Sequence, residues 1–433
     1  MPQIKITGEV QIPQAIAEDI EKTISTVEDF KKKIESNLDR KTTELVEIIL
    51  AGAVKLGSSD IHFEPGEDGG RLRVRLDSIL QDVLLINQKV SKTIVSRIKL
   101  LARLKLNVSD RPQDGRFSIV FEENAIEIRA SALPSEYGES IVMRILDPRS
   151  LIDVESLGLR SDMTEAFRKE IDKPNGMIVV TGPTGSGKTT TLYAILKKLN
   201  QPEIKIITIE DPIEYHLGGI NQTQVDPKKG YDFASGLRSI MRQDPDVILV
   251  GEIRDLETAQ IALQASMTGH LVLTTLHTND AAGTIARLQA LGEEPVNISP
   301  AINIAIGQRL IRKVCDKCKK MEPATDYELN KIRNVIKNLP EGIKVPEINK
   351  DLKLAKPKGC IYCNNTGYKG RLGIFEFFLV DDEMEKFILK SPSIVDMKEL
   401  AIKKGMVLMQ QDGFIKILEG KTTIEEVERV TGE

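Results

Sequence analysis

The segment Gly182-Pro183-Thr184-Gly185-Ser186-Gly187-Lys188-Thr189 constrains this chain more than any other stretch of comparable length. It follows the apolar run Met177–Thr181 and precedes the helical pattern TTLYAILKKL, which starts at Thr190. Strand, glycine-rich turn and helix in that order make a phosphate-binding loop. The glycines let backbone N–H groups turn inward around phosphate oxygens, and the helix N-terminus adds partial positive charge. Lys188 can reach the β- and γ-phosphates, and the Thr189 hydroxyl can bind Mg²⁺. Gly182 to Thr189, with Thr190, are the expected nucleotide-binding residues. A merely structural glycine turn would not need this full motif with both flanks.

The surrounding pattern predicts an α/β fold. The runs Ile204–Ile209, Val247–Val250 and Leu271–Thr275 also alternate with helical stretches. They lack a period of two, so both strand faces are expected to be buried, as in a mostly parallel sheet flanked by helices. The region before them reads differently. Residues 43–56 fit a helix ended by Gly57, and a second helix is expected at Val90–Lys105. Arg71–Leu76 and Ala125–Ala130 alternate apolar and charged residues, the mark of strands with one wet face. Residues 43–149 are therefore expected to form a small α+β domain. Residues 1–42 are polar and read as a mobile arm with a short helix. A linker is placed at 150–157, the α/β core at 158–310, a cysteine-bearing region at 311–375 and a helical region at 376–433, including Ser393–Lys404 and Thr423–Val430.

Three further segments carry chemistry. In Asp246-Val-Ile-Leu-Val-Gly-Glu252-Ile-Arg-Asp255 an acid follows an apolar strand at the sheet edge where ligands bind. That puts Glu252 beside the Mg²⁺ and its water, although the acid is Glu two residues past the strand and not Asp at its end. In Thr208-Ile-Glu210-Asp211-Pro-Ile-Glu214-Tyr215 three carboxylates follow another strand. Packed like charges need a shared cation or proton, and one carboxylate can orient an attacking water; a solvated acidic loop is the plainer alternative. In Thr268-Gly-His270-Leu-Val-Leu-Thr-Thr-Leu-His277-Thr278, His277 lies past the C-terminal end of its strand, on the nucleotide side, and His270 at the opposite end.

The four cysteines fall as Cys315-x-x-Cys318 and Cys360-x-x-Cys363. Two such pairs make a closed Cys₄ shell, which suits a structural zinc better than a catalytic one; four reduced thiols are the alternative. The cations around the first pair (Arg309, Arg312, Lys313, Lys317, Lys319, Lys320) suit a Zn(Cys)₄ centre of charge −2 better than a nucleic-acid patch.

Composition narrows the classes. A net charge of −4 and the absence of Trp weigh against a nucleic-acid partner. No apolar run approaches the ~20 residues that span a bilayer, and the N-terminus lacks a secretory signal, so a cytoplasmic location is expected.

Taken together, these motifs resemble the ATPases of type II secretion and type IV pilus assembly. GPTGSGKT, TIEDPIEY, DVILVGEIRD and TGHLVLTTLHTN match that family's Walker A, acidic, Walker B and histidine boxes, in order. The likeness extends to SDIHFEP, RPQDGR and NTGYKGRLGI. It implies a hexameric ring of RecA-like domains, each joined by a flexible linker near Leu146–Leu157 to a PAS-like N-terminal domain. It also implies ATP, Mg²⁺ and structural Zn²⁺ as cofactors. The partner it implies is an inner-membrane platform protein, through which the ATPase sits at the membrane without spanning it. The catalytic set it implies is Lys188, Glu214 as water-orienting base, Glu252, His277, and two arginines, Arg129 in EIRAS and Arg144 in VMRIL, that reach the nucleotide. Mg²⁺ would be held through Thr189 and Glu252, and zinc through Cys315, Cys318, Cys360 and Cys363. Assembly-type members carry a longer N-terminal docking domain than this chain, and the pilus-retraction branch lacks the cysteine region. The runner-up reading is a RecA-like nucleic-acid motor; a third is a nucleotide-gated scaffold that hardly turns over.

Overall fold

The computed structural model describes residues 8–121 and 124–432. Contacts divide the chain into two compact units, one ending at Ser150 and the other running from Leu151 to the C-terminus, with Lys358–Lys369 counted in the first.

The first unit contains β1 (Glu9–Gln11), α1 (Gln14–Thr23), α2 (Val27–Glu35), α3 (Thr42–Lys55), β2 (Asp60–Gly66), β3 (Gly69–Leu76), β4 (Ile79–Ile86), α4 (Gln88–Leu101), β5 (Gln113–Phe121), β6 (Asn124–Ser135) and β7 (Gly138–Leu146). Its seven strands are ordered β1-β5-β6-β7-β2-β3-β4. β1 joins β5 in parallel, and the other ladders of this sheet are antiparallel. The alternation read in Arg71–Leu76 is present: Leu72, Val74 and Leu76 are buried and the arginines between them are not.

The mobile arm is corrected. From Gly8 onward these residues are folded, and Ile20, Ile24, Phe30 and Ile34 are fully buried in the first unit's core. The apolar residues are few, but they recur every three or four positions, which puts them on one face of each helix. Phe30 packs so closely over α3 that a Cβ on Gly52 would lie 2.4 Å from its ring. α2 begins with a capping box, Thr26 accepting from the Asp29 N–H and Asp29 from the Thr26 N–H. The arm's first seven residues lie outside the described residues.

The second unit contains α5 (Ser161–Ile171), β8 (Gly176–Thr181), α6 (Lys188–Leu199), β9 (Ile206–Glu210), β10 (Asn221–Gln224), α7 (Phe233–Ile240), β11 (Val247–Val250), α8 (Leu256–Met267), β12 (Leu271–Leu276), α9 (Gly283–Leu291), α10 (Pro295–Ile298), β13 (Ile302–Val314), β14 (Lys320–Pro323), α11 (Asp326–Ile336), β15 (Lys353–Lys356), β16 (Tyr368–Leu379), α12 (Asp382–Ile388), α13 (Ile394–Lys403), α14 (Met409–Leu418) and α15 (Ile424–Thr431). Its main sheet is ordered β10-β9-β11-β12-β8-β13-β16, and the five pairings from β10 to β13 are all parallel. β8, β9, β11 and β12 are buried at every residue. That is the two-sided burial expected from their unbroken apolar runs. Two cores line the opposite faces of this sheet. β13 and β16 run through residues 310 and 375, so the cysteine region is not set off from the core at those positions. No helix among the described residues is long and apolar enough to cross a membrane.

Candidate nucleotide site

Parallel pairing puts the C-terminal ends of β8, β9, β11 and β12 on one edge of the sheet. Each chemistry-bearing segment leaves from that edge. The loop Gly182–Gly187 follows β8, and Lys188, Thr189 and Thr190 open α6. Gly182 has φ +152°, and a Cβ there would lie 2.5 Å from the Gln308 carbonyl oxygen on β13. Only glycine fits that approach. The Thr191 hydroxyl donates to Gln308 Oε1 at 2.7 Å, tying α6 to the same strand.

Lys188 Nζ donates to the carbonyls of Gly182 (2.8 Å) and Pro183 (3.2 Å). Burial pushes its ammonium below the ordinary value, Arg309 pushes the same way, and Glu252 and Glu214 act against them. Lys188 thus feels the charge of both Glu252 and Glu214, although the three stand far apart in sequence. Glu252 also accepts from Arg254, and its Oε2 lies 3.5 Å from His277 Nε2. Arg254 in turn lies 3.6 Å from Asp211. Burial lowers the His277 pKa, as does Lys188. A second cation beside Lys188 is disfavoured, so neutral imidazole is favoured there.

His270 sits at the far end of β12, where its Nδ1 is 3.0 Å from the Ala265 carbonyl oxygen. The three carboxylates of the acidic segment separate. Glu210 is buried, Asp211 is exposed and Glu214 is half-buried.

In the first unit, register places Arg129 opposite Arg144 on neighbouring strands. Arg129 Nε is 3.2 Å from Glu127, and Arg144 Nε is 3.2 Å from Asp60. The two arginines, fifteen positions apart in the chain, therefore share one face.

The four cysteine sulfurs lie within 4.8 Å of one another, and Cys315 and Cys363 are buried. Cys360 Sγ and Cys363 Sγ are 3.7 Å apart. Tetrahedral zinc with bonds of about 2.3 Å needs sulfurs about 3.8 Å apart, so the cluster fits that ion. The N–H groups of Cys360 and Gly367 donate to Cys363 Sγ at 3.2 and 3.3 Å.

Sequence reasoning singled out neither Arg309 nor Thr278 as part of this site. The Thr278 and Thr181 hydroxyls are 2.6 Å apart, pinning the loop after β12 to the end of β8. Thr278 is signalled in the sequence only by its place beside His277, and Arg309 only by its charge near the first cysteine pair.

Residues 35–429 match the family described as Type II/IV secretion system protein. The chain belongs to that family. The type II secretion system ATPase E of Vibrio cholerae serotype O1 is 44% identical over 98% of this chain and 82% of its own length. The type IV pilus assembly ATPase PilB of Myxococcus xanthus is 40% identical over 95% of this chain and 72% of its own. Among solved structures, the pilus retraction motor PilT with bound ADP aligns over 89% of this chain and 96% of its own, with TM-score 0.59 and 26% identity. The Legionella pneumophila ATPase DotB aligns over 90% of this chain with TM-score 0.65 and 20% identity, a likeness of fold. Like these relatives, this family member is a P-loop ATPase.

Proposed function

We propose that the chain is one subunit of a homohexamer that hydrolyses ATP to power assembly of a type IV pilus or a type II secretion pseudopilus. It acts from the cytoplasm through an inner-membrane platform protein. The relatives named as secretion and pilus-assembly ATPases support this reading. The single observation that carries the chemistry is the convergence of Lys188, Glu214, Glu252 and His277 at one sheet edge.

Loop N–H groups and Lys188 bind the β- and γ-phosphates. The Thr189 hydroxyl and the Glu252 carboxylate are hard oxygen donors that would hold Mg²⁺, which when bound would neutralise phosphate charge. Glu214 orients a water and accepts its proton as the water oxygen bonds to the γ-phosphorus. The bond from that phosphorus to the bridging oxygen breaks, and the oxygen leaves with ADP. His277, neutral and beside Glu252, senses the γ-phosphate. Arg129 and Arg144 stabilise charge on the transferring phosphoryl group.

Steady-state ATPase assays on Lys188→Ala and Glu252→Gln test this. Both are expected to lose at least ~100-fold in kcat; wild-type turnover in both refutes it.

A further inference from the structure

The acidic segment supplies a further carboxylate that takes no part in the proposed hydrolysis. Glu210, the last residue of β9, is 4% exposed and makes no ion pair among the described residues. Burial raises its pKa against three hydrogen-bonding side chains. The Tyr193 hydroxyl donates to Oε2 at 2.6 Å. The Thr208 hydroxyl donates to Oε1 at 2.6 Å, and the Gln222 amide approaches Oε1 at 3.4 Å. A buried carboxyl without a cation is costly to keep, so its partners are held tightly or the fold is destabilised.

Those partners have further contacts. Tyr193 lies one turn into α6, the helix that begins with Lys188, and is fully buried. Its ring meets the Tyr215 ring edge-on, with centroids 5.8 Å apart. Gln222, on β10, donates to the Tyr215 carbonyl at 2.9 Å and accepts from the Leu217 N–H at 2.8 Å. Tyr215 immediately follows Glu214, and Leu217 lies three positions beyond it. The loop that carries Glu214 is therefore fastened just beyond that residue. Its anchors are the helix that carries Lys188 and a strand paired with β9.

We infer that Tyr193, Glu210 and Gln222 are positioning residues that hold the Glu214 carboxylate in register with the phosphates bound at Lys188. Their polar groups meet one another and the loop, and so fix the distance between α6 and the segment that carries Glu214. Displacements of about 1 Å at a reacting group are enough to cost on the order of 100-fold in rate. The inference rests on Glu214 orienting the attacking water.

The experiment is a double-mutant cycle on the full-length chain, with single-turnover hydrolysis of radiolabelled ATP and steady-state kinetics. Tyr193→Phe keeps the buried ring and removes the hydroxyl. Gln222→Ala, on a partly exposed strand, loosens the same loop with little risk to folding. Each is expected to lower kcat between about 10- and 100-fold while changing KM for ATP less than about 2-fold, since the phosphate-binding loop is untouched. In a Glu214→Gln background, the same substitutions are expected to change the residual rate less than about 2-fold, because the group they position is gone. Unchanged kcat in both single variants overturns the inference. So does an equal further loss in the Glu214→Gln background, which would mean they act elsewhere. If Glu214→Gln itself retains wild-type kcat, the base assignment fails first, whatever Tyr193→Phe does.

Discussion

Glu426, on α15, offers a stability prediction that follows from its burial and its ion pairs. Its carboxylate is 1% exposed. It accepts from Arg312 Nη2 on β13 at 2.7 Å and from the Arg312 backbone N–H at 2.9 Å. It accepts also from Arg429 at 2.9 and 2.6 Å. Burial alone would raise its pKa, but these bonds outweigh burial and hold it at about 2, against an ordinary 4.5. At 1.36 kcal/mol per tenfold, that difference is worth about 3 kcal/mol of folding stability at neutral pH. A carboxylate depressed on folding stabilises above its unfolded pKa and loses that contribution as pH falls through its folded value. The full amount is therefore expected above pH ~5, about half near pH 3, and almost none by pH 2. Replacing Glu426 by Gln leaves two arginines facing a neutral amide. We expect urea unfolding at pH 7 to show a loss of about 3 kcal/mol, and a fall in Tm of roughly 6–12 °C for a unit of this size. The gap between wild type and Glu426→Gln should narrow steadily from pH 5 to pH 3. A gap below ~0.5 kcal/mol at pH 7, or one of constant size down to pH 3, refutes the reasoning.

Two further outcomes follow from the buried charges and the cysteine cluster. Asp412 is fully buried, accepts from Arg160 at 2.7 Å and Lys416 at 2.6 Å, and also takes the Phe375 N–H at 2.9 Å. Asp412→Asn is expected to cost ~3–5 kcal/mol by thermal or urea unfolding, and the joint change Asp412→Leu with Lys416→Met less than the single one. The full chain purified without chelator is expected to carry one zinc per chain by elemental analysis, and Cys360→Ser to lose it with a lower Tm; a metal-free wild type with four titratable thiols would contradict this.

How much of this was legible in the sequence depended on whether the signal was local. Unbroken apolar runs with caps and glycines gave the second unit's strands and helices, because burial on both faces leaves a local imprint. Ser393 and Thr423, expected to start helices, do cap α13 and α15. The N-terminal residues failed for the opposite reason. Average polarity says mobile, yet Ile20, Ile24, Phe30 and Ile34 need only one apolar face to fold onto α3. Pairings across long separations left no local trace. Nothing near Glu426 shows that it meets Arg312, 114 positions away. Nothing in either cysteine pair shows that the pairs converge, though their matched spacing suggested it.

The acidic residues show why spacing alone could not assign roles. Glu210, Asp211 and Glu214 differ in fate because β9 ends at Glu210. The last residue inside a two-sided strand is buried, whatever its charge, so Glu210 must be satisfied by hydroxyls and an amide. Past that point the chain leaves the sheet and carboxylates reach the edge. Glu252 follows the same logic through a different device. It lies two residues beyond β11, which from sequence looked too far for a residue at the strand end. However, the ladder continues: the Gly251 N–H donates to the Ile209 carbonyl at 2.8 Å, the Thr275 hydroxyl to the Gly251 carbonyl at 2.8 Å, and the Ile253 N–H to the Thr275 carbonyl at 3.2 Å. Glu252 is therefore held at the sheet edge by bonds on both sides of it, as firmly as a strand residue, while keeping its carboxylate free of the buried layer. An acid placed two residues past the strand is thus no departure in space. The extra residue is absorbed by Gly251, where an added Cβ would lie 3.3 Å from the Glu210 α-carbon and crowd the neighbouring strand.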